Sequence, residues 1–284
     1  MSSNDSLIRN ISDTAAWVAV YRADETDRSD ALFRDPFARK LAGERGPRIA
    51  DTMRFAKRNA WPFVMRTYLG DEFIMGEIRN GADMVINLAA GLDARPYRMA
   101  LPPSLTWVEI DLPGIFDYKE RILKDDRPVC ALERIRLDLS NVGARRAVFD
   151  ALAARGKRIL VIAEGLLIYL ESAQVAELAR DLSSHASIQR FICEIASPGL
   201  LRMMQKEVGP KLEAAGAPFK FAPAEGPDFF VPLGWKPLAV RSMFREAAKL
   251  RRLPFLFHLF SFLPDPKGPA GNRPWSAVCM FGRT

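Results

Sequence analysis

The sequence predicts an α/β fold, a doubly wound and mainly parallel sheet, on three observations. Between residues 83 and 195, five short apolar runs alternate with segments of helical spacing. The first eighty residues read as helical. The first apolar run ends in a slim turn, "NLAAGLDARPYRM" at 87–99. Alternation of this kind is what parallel strands joined by right-handed helical crossovers produce.

Taken in order, "RSDALFRDPFARKLAG" predicts a helix from a cap at Ser29 or Asp30 to Gly43, with Pro36 as a kink or break. A longer helix is predicted from about Thr52 to Arg79, interrupted at Pro62. The strand-like runs are "DMVINLA" (83–89), "LTWVEID" (105–111), "ERIRLDL" (133–139), "RILVIAE" (158–164) and "QRFICEI" (189–195). Between them "PGIFDYKERILKD", "NVGARRAVFDALAARG" and "SAQVAELARDLSSHA" have helical spacing. A helix is expected over 199–215, then a Pro/Gly/Ala-rich loop, then two late strands in "FFVPLGW" and "WSAVCMF". Between those, 239–263 reads as helical and unusually aromatic.

The totals bound the function. At 284 residues and 49% hydrophobic, the chain can bury one large core with a cap. It has no apolar run of the roughly eighteen residues a membrane helix needs. "MSSNDSLIRNISDT" has no apolar h-region, so no secretory signal is expected. Cys130, Cys193 and Cys279 sit in apolar runs without ligand spacing, and only His185 and His258 are available as imidazoles. These features predict core thiols, a cytoplasmic protein and no metal site. The net charge of +7 is scattered, with neither a basic stripe nor an RNA-binding signature. A small-molecule substrate is therefore expected, without nucleic acid and without stable membrane insertion; no feature fixes an oligomeric state.

Ligands of open parallel sheets bind at the carboxyl ends of the strands. There Ala89, Ala90 and Gly91 let backbone approach a ligand closely, although one glycine is too few for a pyrophosphate cradle. About twenty residues on, Asp111 stands where an acid takes ribose hydroxyls, or else caps the helix that starts near Pro113. Asp138, beside Leu139, is placed to accept from an adenine amino group or to cap the helix that follows. Glu164, before Gly165, is placed to hold an ammonium group or is a solvated strand-end acid. A nucleoside with an amino-acid tail satisfies all these positions, and S-adenosyl-L-methionine has that shape.

Together "NLAAGLDARPYRM", "VEIDLPGIFDYKERIL" and "AEGLLIYL" resemble the leucine carboxyl methyltransferase-like family of S-adenosylmethionine-dependent methyltransferases. This group includes bacterial polyketide carboxyl methyltransferases and mycobacterial members. "YRADETDRSDALFRDPFARKLAG" and "RTYLGDEFI" extend the resemblance, which covers roughly residues 15–195. It implies a class I methyltransferase (Rossmann-like) sheet of seven strands, the last inserted antiparallel. It implies one domain over 1–284: a helical N-terminal cap (1–80), a cofactor-binding core (81–198) and a substrate lid (199–268). It also implies cofactor contacts from the Ala89–Gly91 turn, Asp111 with Leu112, Asp138 with Leu139, and Glu164 with Gly165 near the amino end. Arg66 is implied to salt-bridge the methionine carboxylate. Ala89 stands where the family's first glycine is usual, and Ala94 where threonine is common; Asp93 and Arg95 are expected to brace the loop.

Methyl transfer from a sulfonium asks the protein mainly for alignment and a dry pocket. A carboxylate acceptor needs no general base; a hydroxyl or phenol acceptor does. Tyr21, Arg22 and Tyr169 are candidates for binding an acidic acceptor. His258, amid Phe255, Phe257, Phe260 and Phe262, is a candidate base or a packed residue. The same segment reads as a lid, a membrane-surface attachment or a helix packed on the sheet. The leading expectation is an O-methyltransferase of a small apolar or polyketide-like acid. The alternatives are a hydroxyl or phenol O-methyltransferase, methylation of RNA or protein, and a catalytically weak cofactor-binding scaffold.

Overall fold

A computed structural model describes residues 11–52, 60–214, 216–259 and 271–284. Among these residues four helices come first: α1 (Ile11–Thr26), α2 (Ala38–Ala42), α3 (Arg45–Thr52) and α4 (Trp61–Arg79). The parallel half follows as β1 (Met84–Leu88), α5 (Arg95–Arg98), β2 (Thr106–Asp111), α6 (Pro113–Ile122), β3 (Ala131–Arg136), α7 (Val142–Ala153), β4 (Ile159–Ala163), α8 (Ser172–Ser183) and β5 (Ile188–Ala196). The remainder is α9 (Pro198–Ala214), a 3-10 stretch at Gly226–Leu233, β6 (Trp235–Ser242), α10 (Met243–Lys249), α11 (Phe255–His258) and β7 (Ser276–Arg283).

The seven strands run in the order β3-β2-β1-β4-β5-β7-β6. β1 to β5 pair in parallel, and β7 pairs antiparallel with both β5 and β6. β1 is buried on both faces, as a central parallel strand must be. Met84, Val85, Ile86 and Leu88 are each worth about 1.5–3 kcal/mol of burial, which holds the strand in mid-sheet. Asn87 is polar and needs a partner there; its amide donates to Asp93 at 2.8 Å.

Two core clusters cover the two faces of the sheet. One joins β1, β2, β4 and β5 to α7, α8 and the Phe230–Trp235 region. The other joins the strands to Val64, Leu69 and Ile74 of α4 and Met243 and Ala247 of α10. A smaller cluster packs Ala19 of α1 and Leu41 of α2 against Leu92, Tyr97 and Phe116, so the N-terminal helices lean on the turn after β1. The three cysteines are buried free thiols. Burial pushes the Cys130 thiol up to about 11, which keeps it protonated.

Several local expectations are corrected. The helix expected over 29–43 is reduced to α2, because Asp35 and Pro36 hold a turn before it: the Asp35 carboxylate accepts from Phe37 N at 3.2 Å. Pro62 does not interrupt a helix; it lies in the first turn of α4, where its missing N–H costs nothing. "FFVPLGW" is not a strand. Its apolar run forms the 3-10 stretch with Pro232 inside, and Gly234 (φ +89°) turns the chain into β6 at Trp235. Residues 239–242 complete β6, so part of the stretch read as a lid belongs to the sheet.

Candidate cofactor site

The sheet reverses its winding between β1 and β4, so a crevice opens at their carboxyl ends. The turn after β1 enters it with Ala89 at φ +50° and Gly91 at φ +50°. Ala90 N donates to Ile110 O at 3.3 Å, which ties the turn to β2. A Cβ on Gly91 would meet the Ala15 methyl carbon at 3.3 Å, so α1 lies close over the turn.

Asp111 faces this turn across the crevice. One carboxylate oxygen accepts from Gly91 N at 2.6 Å, and the other from Leu112 N at 2.7 Å. It does not cap α6: Leu112 is the N-cap residue, and Pro113 needs no acceptor. Burial holds the Asp111 carboxyl above its ordinary value, with the two amide hydrogen bonds opposing the shift.

On the β4 side, Glu164 is not a solvated acid. Its oxygens accept from Arg66 Nε at 3.1 Å and Arg95 Nη2 at 2.8 Å. Burial alone would raise its pKa; Arg95 and then Arg66 outweigh that, and the carboxyl lies below its ordinary value. Gly165 (φ +71°) bends the chain away beneath the Arg66 guanidinium. Arg66 also donates from Nη1 to Glu194 at 3.2 Å, while its Nη2 has no hydrogen-bond partner among the described residues.

Glu194 was not anticipated. One of its oxygens takes both Arg66 and the Gly165 N–H, the latter at 2.5 Å. Burial holds its carboxyl up, with Arg66 partly offsetting. The signal was available in the sequence: Glu194 is the single acid inside the apolar run "FICEI".

Asp93 and Arg95 brace the loop. Asp93 accepts from Arg95 N and Arg95 Nη1, both at 2.8 Å, and Arg95 Nε reaches Asp71 at 2.7 Å. Arg98 shares Asp71 at 2.7 Å, so one buried ion network runs from Glu194 through Arg66, Glu164 and Arg95 to Arg98.

The other sequence candidates scatter. Arg22 does not face an acceptor: its guanidinium is buried on Asp35 at 2.9 Å and the Leu92 carbonyl at 2.6 Å. Tyr169 lies at the crevice, bonded to Thr14 and close to Arg66 and Glu194. Its ring meets Phe219 at 5.4 Å. Tyr21, on α1, is buried and stacks on Phe63 at 5.0 Å. Asp138 is exposed at the tip of β3 and accepts from Ser140 N at 2.8 Å, while the cap of α7 falls to Asn141. Leu139 packs half-buried on the main core, and its carbonyl accepts from Arg145. His258 closes α11, but its side chain lies outside the described residues. Among the described residues, no cluster of His, Cys, Asp or Glu could hold a metal, and no helix is long and apolar enough to cross a membrane.

Known proteins agree with this architecture. A Thermobifida fusca protein provisionally named a methyltransferase has a similar fold, with a TM-score of 0.59 at 14% identity over 99% of this chain and 97% of its own. A DUF574-family protein from Streptomyces avermitilis gives a TM-score of 0.59 at 10% identity over 94% and 97%. A Streptomyces coelicolor protein, provisionally named an S-adenosyl-L-methionine-dependent methyltransferase, is 34% identical over 235 residues, 78% of this chain and 80% of its own. A Frankia alni protein with the same provisional name is 32% identical over 236 residues, 78% and 79% of the two chains. The leucine carboxyl methyltransferase profile matches residues 15–183. With this match and a class I sheet, the chain belongs to the leucine carboxyl methyltransferase family of S-adenosyl-L-methionine-dependent methyltransferases.

Proposed function

We propose that the enzyme methylates a carboxylate oxygen of a small apolar or polyketide-like acid. The observation that carries the reading is the meeting of Asp111 with Gly91 N at one strand tip and of Arg66 with Glu164 at the next. These residues suit the cofactor group by group. The Asp111 oxygens keep lone pairs for two ribose hydroxyls. The spare Nη2 of Arg66 would donate to the methionine carboxylate, and Glu164 would accept from the ammonium. Ala89, Ala90 and Gly91 would pass the amino-acid portion, with Leu112 beside the ribose and Gly165 beneath Arg66. Asp138 and Leu139 would flank the adenine.

When bound, the cofactor supplies an activated methyl group on a sulfonium. The chain's own residues then align the acceptor and exclude water. A carboxylate arrives ionised, so no base has to take a proton. Tyr169, held by Thr14 near Arg66, would orient that carboxylate. The apolar cluster around Phe219 and Leu212, with Phe63 and Ile168 packed on it, would take the acid's apolar body. Helix α9, which supplies Leu212, would cover it as part of the lid.

The test is transfer of labelled methyl from S-adenosyl-L-methionine to a panel of medium-chain acids and matched phenols. Label released by mild alkali, as expected of a methyl ester, supports the reading. Alkali-stable label on the phenols alone would replace it with ether formation.

A further inference from the structure

Away from the strand tips, a cleft of about 240 Å³ opens between α1, the start of α4 and the segment after α10. Tyr21 and Trp61 both line it. Tyr21 is only 2% exposed, and its hydroxyl has no hydrogen-bond partner among the described residues. The buried indole nitrogen of Trp61 has none among them either. Buried polar groups are as a rule hydrogen-bonded, so two orphans on one cleft point to a partner that comes and goes.

The chemistry of the lining narrows that partner. An indole N–H can only donate, so the ligand must offer an acceptor oxygen. The cations at the cleft are already neutralised: Arg252 grips Glu25 at 2.9 Å, and Arg28 meets Asp30 at 2.9 Å. Burial, with Asp24 and Asp51 nearby, pushes the Tyr21 hydroxyl well up, so it stays protonated. With Arg28 and Arg252 both committed to carboxylates, a carboxylate or phosphate would find no spare cation among the described lining residues. Val64 and Pro254 add apolar wall. One ring stands between this cleft and Arg66 of the cofactor crevice: Tyr21 stacks on Phe63, and the Phe63 ring centroid lies 5.7 Å from the Arg66 guanidinium carbon.

We propose that this cleft binds a small neutral molecule through a carbonyl or hydroxyl oxygen held by Tyr21 and Trp61, its apolar body against Val64 and Pro254. The site does not depend on the choice of methyl acceptor.

The experiment uses the full chain labelled with nitrogen-15, in which five tryptophans give indole signals. Trp61→Phe identifies the signal of interest by its loss. Benzamide, titrated in, is expected to move the Trp61 indole signal saturably, and benzoate of the same shape to bind at least about fivefold more weakly. Tyr21→Phe should weaken benzamide about fivefold, the worth of one neutral hydrogen bond. A response that is unchanged or tightened by saturating S-adenosylhomocysteine supports the site. No saturable movement, meaning that solvent alone satisfies the two groups, overturns it. So does equal binding of benzoate, or displacement of benzamide by S-adenosylhomocysteine. If calorimetry finds no S-adenosylhomocysteine binding while benzamide still moves the signal, the methyltransfer reading fails and this one stands.

Discussion

At Ala89 an L-residue occupies left-handed backbone, φ +50°, in the turn that the cofactor must pass. The strain is roughly 1–2 kcal/mol for a residue with a Cβ. Glycine would remove it and give back about 0.4–1 kcal/mol through the freer unfolded chain. Ala89→Gly should therefore stabilise the protein by about 0.5–1 kcal/mol net, read from urea unfolding midpoints. At Asp111 the prediction concerns pH. Its carboxyl is held above the ordinary 3.8, so acidification protonates it before exposed aspartates. Ribose recognition needs the ionised form. Affinity for S-adenosylhomocysteine should then fall early as pH drops, and Asp111→Asn should flatten that limb. The same change should weaken binding at neutral pH by about 1.5–3 kcal/mol in calorimetry, the worth of a charged hydrogen bond.

At the scale of elements, the short helix α5 anchors the site. Arg95, its first residue, is 2% exposed and reaches Asp71 of α4, Asp93 of the turn and Glu164 just past β4. Removing it leaves three acids short of a cation in a low-dielectric setting. Arg95→Ala should cost about 3–5 kcal/mol of stability in urea unfolding. The strand elements were readable because central parallel strands are continuous apolar runs: "RILVIAE" becomes β4 at Ile159–Ala163 with only its ends trimmed. "FFVPLGW" misled for the same reason. A short apolar run does not declare its backbone, and Pro232 with Gly234 decided against a strand. Asp111 and Glu164 were legible because topology alone puts strand-end acids at the crevice. Glu194 offered only the lone acid of an apolar run as a signal, since its partner Arg66 lies 128 positions away and tertiary packing alone joins them.

For the whole molecule, the buried ion network sets the response to acid. Burial works against ionised Asp93 and Glu164, but the surrounding arginines win, and both carboxyls lie below their ordinary 3.8 and 4.5. A depressed folded value contributes stability that is present above the unfolded pKa and lost as pH falls through the folded one. Unfolding midpoints should hold near neutral pH and drop steeply below about pH 4.5, and Asp93→Asn should make that drop shallower. The sheet carries a further consequence. β6 meets the other strands only through β7, which follows it in the chain yet lies between it and β5. On the ribosome, the five parallel strands can assemble as they emerge, whereas β6 must wait, edge unpaired, until the later strand threads in beside it. A chaperone or a premature stop acting in that interval would meet a crevice already formed on a protein whose flank is still open.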